Sequence, residues 1–215
     1  METIKELLHF FLHLDDVLGD MIQNYQSLTY LILFAIIFVE TGLIIMPFLP
    51  GDSLLFAAGM FAAKGDLNIA LLLILLFIAA FLGDFVNYFI GRYFGEQALK
   101  TKIFGKEIVK PEHLRKTHEF FEKHGPKTII LARFVPIVRT FAPFVAGVGK
   151  MNYKTFVSYN VVGGAVWVLG LTLAGFFLGE IPIVKENFEK VILAIIAISV
   201  LPIVFEFIKS KTSSK

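Results

Sequence analysis

Residues 132–147 read A-R-F-V-P-I-V-R-T-F-A-P-F-V-A-G, an apolar stretch that carries Arg133 and Arg139 and is interrupted by Pro136 and Pro143. Residues 39–55 read V-E-T-G-L-I-I-M-P-F-L-P-G-D-S-L-L and carry Glu40 and Asp52 in equally apolar surroundings. The 215-residue chain is 56% hydrophobic, with a mean hydropathy of +0.74, which exceeds what one soluble domain of this size can bury. Most apolar side chains must therefore face lipid. At bilayer depth an ionised side chain costs about 2.5–3.5 kcal/mol on insertion scales, so these four must pair, meet water or bind something. Intramembrane charges of this kind are candidate functional residues.

A spanning helix needs about 20 mostly apolar residues, and four stretches qualify: 28–47, 67–90, 156–178 and 191–208. Two further apolar stretches, about 48–63 and 128–150, are broken by Pro50, Gly51 and Gly59 in the first and by Pro136, Pro143, Gly147 and Gly149 in the second. Proline removes a helix donor and clashes with the preceding turn, so neither runs as one straight helix; both read as re-entrant hairpins inside the bundle. The expected fold is an all-α polytopic membrane protein with about four transmembrane helices and two opposed re-entrant helical hairpins. Phe48-Leu49-Pro50 followed by Phe56-Ala57-Ala58-Gly59 resembles Phe134-Val135-Pro136 followed by Phe144-Val145-Ala146-Gly147, which relates the hairpins as an inverted repeat. The expected organisation is an N-terminal amphipathic segment 1–27, a transmembrane domain 28–208 with a cytoplasmic amphipathic segment at about 92–127, and a basic tail 209–215.

Lysine and arginine set the orientation. The segment 92–127 and the tail are rich in both, which places them in the cytoplasm together with the N- and C-termini. The first hairpin then opens outward and the second inward. Met1-Glu2-Thr3-Ile4-Lys5-Glu6 lacks the basic start of a signal peptide, so none is expected. Ile4, Leu7, Leu8, Phe11, Leu14 and Leu18 recur at helical spacing and suit either an interfacial helix or one packed on the bundle. Pro111 to Gly125 reads as a second amphipathic helix, whose Leu114, Phe120 and Phe121 would face the cytoplasmic interface.

Arginine's planar fork matches phosphate oxygens and keeps its charge when desolvated, so Arg133 and Arg139 read as a headgroup cradle. Binding an anion beside Glu40 or Asp52 would shift their proton equilibrium, a chemical basis for proton coupling or gating. Alternatively, Glu40 and Asp52 neutralise Arg133 and Arg139 and lock the hairpins together. Asp84 and Arg92 are further candidates for lining the cavity. The spacings Gly91-x-x-x-Gly95 and Gly175-x-x-x-Gly179 read as close helix contacts, Trp167 as packing, and His113, His118 and His124 as solvated loop residues.

A formal net charge of +2 is too mild to argue for nucleic acid, and the absence of cysteine removes thiolate metal chemistry and disulfides. The G-D-x-x-x-N stretch lacks the clustered aspartates of metal-assisted transfer, and no span carries a histidine base, so no enzyme activity, cofactor or metal is expected.

The runs E-T-G-L-I-I-M-P-F-L-P-G-D-S-L-L, G-D-F-V-N-Y-F-I-G-R-Y-F-G, F-F-E-K-H-G and R-F-V-P-I-V-R-T-F-A-P-F-V-A-G together resemble the DedA family of bacterial membrane proteins. The resemblance spans residues 39–179. It implies two opposed re-entrant hairpins with flanking spans, and a role in moving lipid across the cytoplasmic membrane, best associated with undecaprenyl phosphate recycling. It places the family's acidic pair on Glu40 and Asp52 and its arginine pair on Arg133 and Arg139. The expected activity is translocation of a phosphate-bearing lipid, either an undecaprenyl phosphate-type carrier or a phospholipid, coupled to protons. A proton-coupled exporter of small cations and a non-transporting scaffold are the alternatives. Expected partners are membrane lipids, the lipid substrate and protons, with a homo-oligomer left open.

Overall fold

A computed structural model of this chain describes residues 14–25, 27–43, 51–100, 102–103, 106–107, 111–179, 181–187, 190–191 and 194–195. The helices are α1 (Leu14–Tyr25), α2 (Leu28–Gly42), α3 (Gly51–Ala63), α4 (Ile69–Lys100), α5 (Pro111–His124), α6 (Thr128–Leu131), α7 (Pro136–Val148), α8 (Tyr153–Leu178) and the short α9 (Pro182–Glu186). A two-residue antiparallel ladder, β1 (Lys102–Ile103) with β2 (Lys106–Glu107), pairs Lys102 with Glu107. The expected bend of the first hairpin at Phe48 to Pro50, the expected interfacial residues before Leu14, nearly all of the expected span 191–208 and the basic tail lie outside the described residues.

Among the described residues two helices, α4 and α8, are long and apolar enough to cross a membrane. Only 33% of the apolar window of each is buried, whereas a core helix of a soluble protein would be mostly covered. On α4 the outward residues are Leu71, Ile74, Ile78, Leu82 and Val86, and the inward ones include Asp84 and Asn87. Polar groups inside and aliphatic groups outside are what a lipid solvent selects. At 32 residues, or about 48 Å, α4 also overshoots a hydrocarbon core of about 30 Å. The sequence suggested an end near Ile90; the helix continues through Arg92 because residues 92–100 contain no proline and include good helix formers.

Glycines set the crossings. A Cβ on Gly59 of α3 would collide with the Thr172 carbonyl and the Phe176 amide of α8, one on Gly175 with the Phe56 carbonyl, and one on Gly179 with Met60. On the other side of the molecule, a Cβ on Gly147 of α7 would collide with the Tyr88 carbonyl and the Arg92 amide of α4, one on Gly91 with the Phe144 carbonyl, and one on Gly95 with Val148. Both small-residue motifs singled out in the sequence are therefore close helix contacts, against backbone at Gly91 and Gly175 and against a side chain at Gly95 and Gly179.

Two core clusters result. The larger gathers Leu33, Ile37, Leu55, Met60, Leu72, Leu76, Trp167 and Val168; the smaller gathers Tyr88, Ile129, Ala132, Val138, Ala142, Ala146 and Phe156. Leu18 of α1 is buried in the first cluster, so α1 packs on the bundle at that point. Phe120 and Phe121 of α5 pack against the second cluster rather than presenting an apolar face to the interface. His113, His118 and His124 lie within α5 rather than in a loop, and Gly125, at φ +58°, ends the helix where no side chain has to be accommodated.

Candidate functional site

Each member of the site is placed by a break or a close approach. Helix α2 ends at Gly42, whose backbone meets Gly83 of α4: a Cβ on Gly42 would stand 3.3 Å from the Gly83 Cα. That contact puts Thr41, the residue after Glu40, beside Gly83 and Asn87. The Asn87 Nδ2 donates to the Thr41 carbonyl at 3.3 Å and to the Thr140 carbonyl at 2.9 Å, so it ties together the residues that directly follow Glu40 and Arg139. Asp52 lies in the first turn of α3, where the helix dipole favours an anion. Gly51 must lack a side chain, because a Cβ there would fall on the Glu40 carboxylate.

The chain between the two arginines turns sharply. Arg133 sits in a 3-10 turn (Ala132–Phe134), Val135 is extended at φ −122°, ψ 100°, and α7 begins at Pro136. Proline disfavours a helical conformation in the residue before it, which explains the extended Val135. The two guanidiniums consequently reach different partners. Arg139 Nη1 donates to Asp52 Oδ1 at 2.7 Å and its Nη2 to Glu40 Oε1. Arg133 Nη2 donates to Asp84 Oδ2 and, at 2.7 Å, to Asn160 Oδ1 of α8. Asn160 Nδ2 in turn donates to the Phe81 carbonyl at 3.2 Å, which fixes the amide's orientation.

The structure thus brings five of the six sequence candidates into one layer, but pairs them differently from expectation. Glu40 and Asp52 both serve Arg139, and Asp84 rather than either of them serves Arg133. Arg92 does not join. It is exposed, donates to the Tyr88 hydroxyl at 2.7 Å and to the Met151 carbonyl at 3.2 Å, and lies about 12 Å along α4 from Asp84. An arginine at the end of an apolar stretch satisfies itself there by snorkelling.

Two site residues were not identified from the sequence. Trp167 was read as packing; it is buried, and its Nε1 donates to Asp52 Oδ1 at 2.8 Å. Asn160 is buried against Arg133. Asn160, Gly163, Gly164 and Trp167 follow one another at helical spacing on a single face of α8, a polar and small-residue stripe within a span that was available as a signal. Arg133 Nε and Nη1 are buried without hydrogen-bond partners among the described residues, which leaves donors available inside the layer.

Residues 49–177 match the VTT domain family, a segment that includes all of these site residues except Glu40. Over 216 aligned residues the chain is 51% identical to Protein DedA of Escherichia coli K12, covering 100% of this chain and 98% of that protein, so the similarity extends through Glu40 as well. It is 47% identical over 167 residues to an uncharacterized membrane protein of Mycobacterium leprae, covering 78% of this chain and 74% of that protein. It is 34% identical over 179 residues to inner membrane protein YqjA of Escherichia coli K12, covering 83% and 80%. No solved structure matches.

Proposed function

This chain belongs to the DedA family of VTT-domain membrane proteins, and from that premise we propose that it carries a phosphate-bearing lipid across the cytoplasmic membrane in a process coupled to protons. The observation that carries this reading is a buried layer with two guanidiniums, in a chain whose outer face is aliphatic. Arg133 and Arg139 are the proposed headgroup ligands: Arg133 retains unpartnered N–H groups, and Arg139 holds two carboxylates that an incoming phosphate would replace. Glu40 and Asp52 are the proposed gating and proton-carrying groups. The layer contains three carboxylates and two guanidiniums, so one proton brings it to neutrality. A lipid of the undecaprenyl phosphate type or a phospholipid would keep its chains in the bilayer while only the headgroup crosses. The proposal is of a carrier and not of an enzyme.

The proposed architecture is four spans with two opposed hairpins related as an inverted repeat. Phe56, Gly59 and Met60 contact α8 as Phe144, Gly147 and Val148 contact α4, which supports that relation. The proposed organisation keeps the N-terminal segment 1–27, the transmembrane domain 28–208 and the basic tail 209–215, with both termini in the cytoplasm. Single cysteines placed in this cysteine-free chain should label from outside near Lys64 and only from inside near Lys106 or Ser213. External labelling near Lys106 would reverse the orientation.

Reconstitution into liposomes of defined phospholipids with undecaprenyl phosphate tests the activity. A phosphate-bearing headgroup should change leaflet faster than in protein-free vesicles, and an imposed pH gradient should alter the initial rate. Leaflet exchange indifferent to the gradient would leave an uncoupled scramblase. Flux of a small organic cation without any lipid movement would replace the carrier with a proton-coupled exporter, and no transport of either kind would leave a scaffold.

A further inference from the structure

The ring of Trp167 lies against both guanidiniums, its centroid 5.0 Å from Arg139 Cζ and 5.7 Å from Arg133 Cζ. Its N–H shares Asp52 Oδ1 with Arg139 Nη1, at 2.8 and 2.7 Å. The two arginine sites differ in access. The side chains of Asp52 and Arg139 keep 23% and 12% of their surface exposed, whereas those of Asp84 and Arg133 keep 5% and 2%. An anion arriving from the accessible side therefore meets Arg139 first and competes with Asp52 for its Nη1. Once Asp52 leaves, the indole N–H loses an acceptor in a desolvated place, which weakens the hold on the ring. Against the same ring, Arg133 keeps its Nε and Nη1 without hydrogen-bond partners among the described residues.

We propose that Trp167 is a positioning residue that holds Asp52 on Arg139 and packs on both guanidiniums until a phosphate anion displaces Asp52; the ring then shifts and both guanidiniums hold the same phosphate. This rests on the phosphate reading of the site given above. It assigns Arg139 the first contact and Arg133 the second, with the order set by their difference in exposure. Two planar forks converging on one tetrahedral anion favour a phosphate with several free oxygens over a carboxylate.

Trp167 is the only tryptophan in the chain, so its emission reports on this place alone. The test uses the full-length protein in maltoside micelles free of phospholipid, titrated with inorganic phosphate in one arm and with phosphatidic acid in mixed micelles in the other. Saturable red-shifted emission together with increased acrylamide quenching supports the proposal. A response in both arms assigns the contact to phosphate itself, and one to phosphatidic acid alone assigns it to a lipid headgroup. Binding of radiolabelled phosphate or labelled phosphatidic acid without any change in emission overturns the role of Trp167 while leaving the phosphate site intact. Absence of binding in both arms overturns the two together.

A second variant separates positioning from packing. Trp167→Phe keeps a ring but loses the N–H that holds Asp52. It should bind phosphate about tenfold more tightly by equilibrium dialysis, in line with one lost hydrogen bond to a charged group, with little change in thermal stability. Unchanged affinity with a lowered melting temperature would show a ring that only packs, and would overturn the proposal. Should the variant not fold, the wild-type emission still decides.

Discussion

Replacing Arg139 by lysine lowers lipid transport by about tenfold to a hundredfold while the protein still inserts and accumulates near the wild-type level. The guanidinium spans two carboxylates from different helices, Nη1 to Asp52 and Nη2 to Glu40. A lysine ammonium preserves the charge, so no bare carboxylate pair is left behind, but a point charge on a flexible stem cannot present two fixed N–H directions. Losing one charge-assisted bond of about 1.5–3 kcal/mol corresponds to that range of rate. Liposome transport with purified Arg139→Lys, compared at equal protein, measures it. Full activity would mean that charge alone suffices, and would favour a structural latch over a phosphate ligand.

Asp84→Asn is expected to destabilise the protein most among single substitutions in the layer. The Arg133 side chain is 2% exposed and its charge is balanced by Asp84, so the variant strands a buried cation at a cost of about 3–5 kcal/mol. Loss of folded protein on heating in detergent should show this directly. Adding Arg133→Gln removes the stranded charge and should restore most of the stability, since buried ion pairs contribute little net stability over neutral replacements. Transport should stay lost in the double variant, because the second phosphate ligand is gone. A double variant that regains both stability and transport would make Arg133 and Asp84 a latch and remove Arg133 from the binding site.

The pairing could not be deduced from the chain alone, and the reason is geometric. Glu40 and Arg139 are 99 residues apart, and Asp52 and Arg139 are 87. Which acid meets which arginine depends on where α2 crosses α4 and where α3 crosses α8, and those contacts are set by backbone approach at Gly42, Gly83, Gly59 and Gly175. Asp84, one candidate among several in the sequence, becomes the partner of Arg133 only because the break at Val135 points Arg133 toward α4 and α8. The same holds for Trp167: an indole within an apolar helix reads as packing until the first turn of α3 brings a carboxylate to its N–H.

By itself the sequence determined the properties that are local. Its hydropathy marked a membrane chain, Pro136 set the break that leaves Val135 extended before α7, its glycine spacings marked the helix contacts, and its unscreened charges identified Glu40, Asp52, Arg133 and Arg139 as residues needing partners. Each of these follows from a window of a few turns, because the cost of burying a charge or of removing a helix donor does not depend on distant residues. Only the tertiary structure decided that Arg139 takes two acids, that Arg133 takes Asp84 and Asn160, that Trp167 contacts both guanidiniums, and that α5 turns its phenylalanines inward. Hydrogen bonds and ring contacts act over a few ångströms between elements far apart in sequence, so they exist only once the helices have packed.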